Sequence, residues 1–77
     1  MADTMHEITF GKDRYHLQGE MERWCKTYIG PGGWTGATPK TWEGMGSKVW
    51  VIHCMFGETT FAFKEPKHFT LFSLYWS

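Results

Sequence analysis

Two cysteines and four histidines are the side chains best able to do chemistry here, and they stand at positions 6, 16, 25, 53, 54 and 68. A tetrahedral zinc needs ligand pairs at short spacing, and the chain has neither Cys-x-x-Cys nor His-x-x-x-His, so no metal site is expected. A Cys–His nucleophile needs an accessible thiolate near a cation. Cys25 borders the apolar stripe of a helix and Cys54 falls on the apolar side of a strand, beside Phe61, so both are expected to be buried and inert. His53 and Cys54 are neighbours in sequence but point to opposite faces of that strand. Acid–base neighbours such as His16 and Glu20 occur in any chain of this composition, so the expectation is no enzyme and no cofactor. The glycines of residues 29–36 follow a helix and lack the Gly-Lys-Ser/Thr ending of a phosphate loop, which makes a rigid surface turn the expected structure.

The elements that would position these residues form one domain, 1–77. A chain this short sits near the size at which a single core supplies only ~3–5 kcal/mol. Eight basic residues balance eight acidic ones. A protein that coats phosphates or anionic lipid carries a basic excess, and a chain of zero net charge does not. Zero charge also permits self-association. The first residues show no basic stretch followed by an apolar one, and no run is long enough to span a bilayer. The expected setting is therefore a cytoplasm, with the thiols reduced. A Cys25–Cys54 disulfide would require the helix of one to pack on the strand of the other.

Two β-rich runs between residues 48 and 64 flank Gly57-Glu58, a pair suited to a type II′ turn. That turn sets Cys54 opposite Phe61 and Ile52 opposite Phe63, and gathers Trp50, Ile52, Cys54, Phe61 and Phe63 on a core face. The other face, with Val51, His53, Met55, Thr60 and Ala62, is too apolar for solvent and is expected to be covered by a second layer or another molecule. Residues 17–29 place Leu17, Met21, Trp24, Cys25 and Tyr28 at helical spacing, and Gly30-Pro31 stops the helix. Residues 5–10 read as a strand, with residues 14–17 as an optional returning one. Residues 30–47 read as a long loop rich in Gly, pinned by Trp34 and Trp42. At the C-terminus, Pro66 and the polar positions Lys67, Thr70, Ser73 and Ser77 favour a helix with Phe69, Phe72 and Trp76 on one stripe. The order β(β)αββα predicts an α+β fold, a small antiparallel sheet with one or two helices on one face.

The strings Trp24-Cys25, Ile29-Gly30-Pro31-Gly32-Gly33-Trp34, Trp42, Met55-Phe56-Gly57, Phe63-Lys64 and Phe69-Thr70-Leu71-Phe72-Ser73-Leu74-Tyr75-Trp76 resemble small uncharacterised proteins of tailed bacteriophages. The resemblance runs from Trp24 to the C-terminus and implies a viral protein made in the cytoplasm of an infected bacterium. It carries no catalytic residue with it. Five Trp, three Tyr and six Phe are more aromatic surface than so short a chain needs for its core. Aromatic and Met side chains are enriched where proteins dock. The expected function is therefore protein binding, as a homodimer or as a stoichiometric inhibitor or adaptor of a host protein, through Val51, His53, Met55, Trp34 and Trp42. The alternative is single-stranded nucleic-acid binding by the loop 34–48, with Trp34 and Trp42 as stacking platforms beside Lys40, Lys48 and Lys64. A minor component of the virion is a third expectation.

Overall fold

A computed structural model describes residues 6–36, 42 and 45–76. Met5, Lys40 and Ser77, on which parts of the sequence reading fell, lie outside the described residues. Strand β1 (His6–Phe10) is followed by a 3-10 helix (Lys12–Leu17), helix α1 (Gln18–Tyr28), strand β2 (Gly32–Trp34), strand β3 (Trp50–Met55), strand β4 (Glu58–Phe63) and helix α2 (Pro66–Trp76). The strands form one sheet in the order β1-β4-β3-β2. Three of them pair antiparallel and β2 lies parallel to β3. The expected α+β fold is formed, but β2 arises within the expected loop 30–47 and pairs parallel to β3, so the sheet is mixed rather than antiparallel.

Each element has a local cause. The last turn of α1 closes when the backbone amides of Ile29 and Gly30 both donate to the Cys25 carbonyl, at 2.9 and 3.0 Å. Gly30 takes φ +138, a backbone angle that side chains disfavour, and Pro31 cannot continue the helix. Helix α2 begins at Pro66, whose missing amide would have had no partner in a first turn. The returning strand expected over residues 14–17 does not form. Those residues wind into the 3-10 helix, which carries the chain from β1 straight into α1 and lets Leu17 pack on the core.

The β3–β4 hairpin corrects the expected register. Its two loop residues are Phe56 and Gly57, both at positive φ (53 and 81), which makes the turn type I′ rather than a II′ turn at Gly57-Glu58. The pairing shifts by two residues, so every side chain keeps its face while its partner changes. Ile52 stands opposite Phe61, Trp50 opposite Phe63, and Cys54 opposite Thr59. This register centres the large core side chains beneath α2. The Phe72 ring lies 4.7 Å from Phe61 and 5.0 Å from Phe63, and Met21 and Cys25 of α1 complete the buried cluster.

The other sheet face is closed within the chain. Trp42 and Met45, from the segment between β2 and β3, pack on Val51 and Ala62, whose exposures fall to 1% and 2%. A single buried Trp and a Met supply the cover for which a second layer or a partner had been expected. β2 itself depends on a close approach. A Cβ at Gly32 would lie 2.4 Å from both the ring and the carbonyl oxygen of Trp50. The Trp50 indole, buried in the core, donates to the Gly30 carbonyl at 2.8 Å, so the Gly-rich turn after α1 is tied to β3 by hydrogen bond and contact together.

Candidate protein-docking surface

The five residues expected to bind a partner do not make one surface. Trp42, Val51 and His53 are buried, which corrects their assignment to a contact face. Met55 and Trp34 are about half exposed. They project from opposite faces, because Trp34 shares its register and its side with Ile52 while Met55 continues the Val51 and His53 side. The Trp34 indole donates to Glu22 at 3.0 Å, and Glu22 also pairs with Lys26 at 3.2 Å, so this Trp is propped against the flank of α1.

The thiols divide as well. Cys25 is fully buried, and burial of the thiol away from water, with the Glu22 charge as a smaller contributor, pushes its pKa from 9.0 up to about 12. Cys54 is exposed rather than buried. The turn sits one residue earlier than expected, so the pairing shifts by two and sets Thr59 instead of Phe61 opposite it. Both thiols are free. Among the described residues no three His, Cys, Asp or Glu side chains gather as metal ligands, and no helix is long and apolar enough to cross a membrane.

What the sequence reading missed is the outer surface of the helical layer. Beyond Lys67, helix α2 has no formally charged residue, and its exposed side carries Leu71, Leu74 and Tyr75 beside the polar Thr70. Large apolar side chains on a helix are ordinarily turned to the core. Here only Phe72 is fully buried, while Leu71, Leu74 and Tyr75 remain 46%, 79% and 64% exposed. Tyr75 stacks on Trp24 of α1 at 5.3 Å and 29°, and Trp24 in turn lies 5.3 Å from Tyr28, itself 64% exposed. An open cleft of about 300 Å³ runs between the helices, walled by these rings and by Trp76, with Glu20 and Arg23 at its edge. Arg14 fixes the far end by donating to the Trp76 carbonyl. The buried Trp76 indole N–H has no hydrogen-bond partner. The signal was present in the run Leu71-Phe72-Ser73-Leu74-Tyr75-Trp76, since one stripe of a helix cannot hold that many apolar side chains.

A second apolar feature is the hairpin tip. Phe56 is 91% exposed, and Met55 and Tyr15 stand half exposed, with a shallow hollow between Lys12, Tyr15 and Gly57. Comparison with known proteins returns no match, whether against family models, curated proteins or solved structures.

Proposed function

We propose that this protein acts by binding protein, as a stoichiometric partner rather than a catalyst, through the outer surface of its helical layer. The observation that carries this reading is α2 itself, an apolar helix whose Leu71, Leu74 and Tyr75 meet solvent where a second apolar surface should lie. Aromatic anchors flanked by charge are what docking surfaces use, and Trp24, Tyr28 and Tyr75 beside Glu20 and Arg23 have that composition.

On the resemblance to small tailed-phage proteins, we further propose that the protein works in the cytoplasm of an infected bacterium and that host proteins are among its candidate partners. Nucleic-acid binding by the loop 34–48 is the weaker reading, because Trp42 is buried and cannot stack on a base.

The test is a capture experiment from bacterial lysate with nuclease present, using the wild type and Leu74→Asp. Leu74 is nearly solvent-exposed, so the substitution should leave the melting temperature within a degree or two. The reading expects salt-tolerant capture that is lost in the variant. Capture by both proteins alike would overturn it.

A further inference from the structure

We infer that the partner on the helical layer is a second copy of this chain, docked about a two-fold axis so that two helical layers form the middle of a sheet–helix–helix–sheet stack. This rests on the protein-binding reading above and names the occupant of that same surface.

A two-fold interface sets one patch against itself, so the patch must be complementary to itself in shape and charge. Glu20 and Arg23 lie one turn apart on α1 and edge the same cleft, and among the described residues neither has an ion pair of its own. With the axis crossing α1 between them, Glu20 faces the partner's Arg23 and Arg23 faces the partner's Glu20. Two complementary contacts then come from a single patch, and neither charge is left facing its like. A heterologous partner would not require one acid and one base at this spacing. A formal charge of zero places no net repulsion between copies.

The area is also adequate. Large aromatic side chains offer ~200 Å² each, so Tyr28 and Tyr75, both 64% exposed, leave on the order of 130 Å² apiece. Together with Leu71, Leu74 and the polar edge, this supplies the apolar centre of a standard interface of ~800 Å² per partner. A domain with so small a core would gain from a shared second one.

The experiment is sedimentation equilibrium on the full chain across a range of protein concentration at low and moderate salt. Wild type should dimerise, and Leu74→Asp should be monomeric at unchanged melting temperature. Glu20→Arg and Arg23→Glu alone should each weaken the dimer by roughly tenfold or more, since both symmetric contacts become repulsive. Mixing these two variants should restore association, because each then presents the charge that the other needs, and the double swap should dimerise by itself.

A chain that stays monomeric overturns the inference, and so does a dimer indifferent to these substitutions. If in that event a lysate protein still binds wild type and not Leu74→Asp, the protein-binding reading stands with a different occupant. If Leu74→Asp changes no association of any kind, both fall.

Discussion

At the scale of single residues, Phe56 is the position where local physics and composition disagree most. Type I′ turns favour Asn, Asp or Gly at their first central position, since a side chain with a Cβ is strained at φ 53. Phe56 is bulky and 91% exposed, and it gains nothing by burial. Its replacement by Asn should therefore raise stability by about 1 kcal/mol. For a domain of this size that is ~4–8 °C in melting temperature, read by thermal denaturation; an unchanged or lower melting temperature would mean that the ring is supported in a way the turn does not show. The cysteines give a second prediction at this scale. Cys54 should react with a thiol reagent at once in the native protein, and Cys25 only on unfolding. The unfolded Cys25 thiol ionises near 9.0 while the folded one holds its proton to about 12, so between these values the unfolded state binds fewer protons. The thiol's contribution to stability is complete below pH 9 and declines as pH rises toward 12. Urea midpoints taken upward from pH 8 should fall less steeply in Cys25→Ala than in the wild type.

At the scale of elements, β2 shows how much a sheet can depend on one missing methyl. Gly32→Ala places a carbon 2.4 Å from the carbonyl oxygen and ring of Trp50, neither of which can yield without displacing β3, whereas Gly33 has open space around its Cα. The first substitution should destabilise by at least ~1–3 kcal/mol, as overpacking does. The second should be neutral or stabilising by up to ~1 kcal/mol through the unfolded chain. Equal denaturant midpoints for the two would show that β2 is not held against Trp50. The same strand marks the limit of what the sequence discloses. Helices α1 and α2 were legible because 3.6-residue periodicity, Gly30-Pro31 and Pro66 all act within a few residues of each other. The strands β3 and β4 were legible by their alternation. Gly32-Gly33-Trp34 has no β propensity to read, and its pairing partner lies eighteen residues on, so only tertiary contact makes it a strand. The hairpin register slipped for a related reason. Faces follow from alternation, but the choice between turns at 56–57 and 57–58 depends on which pairing seats Phe61 and Phe63 under Phe72. The docking surface was hidden in the same way. Val51 and His53 looked uncovered because nothing local says that Trp42 folds back, and the stripe Phe69, Phe72 and Trp76 says nothing of what Leu71, Leu74 and Tyr75 meet on the other side of the helix.

At the scale of the whole molecule, the chain has covered one of its apolar faces and left another open. Its radius of gyration is 11.6 Å, close to the ~11.5 Å expected for a compact chain of this length. Trp42 is 6% exposed, and with Met45 it closes over Val51 and Ala62. Truncating a buried Trp to Ala typically costs 3–5 kcal/mol, which is comparable with all that a core of this size supplies. Trp42→Ala should therefore loosen or unfold the domain, and any fraction that stays folded should present Val51 and Ala62 to solvent. The expected readings are a lowered denaturation midpoint, binding of a hydrophobic dye, and faster amide exchange at positions 51 and 62 than in β1. Leu74→Asp serves as the control, because Leu74 is 79% exposed and contributes little to the fold. If the two variants melted together and neither bound dye, Trp42 would not be the cover of the outer sheet face. That face would then be a second surface awaiting a partner. The opposite result separates the two apolar surfaces by role, with the sheet face closed by Trp42 within the chain and the helical layer left open for association.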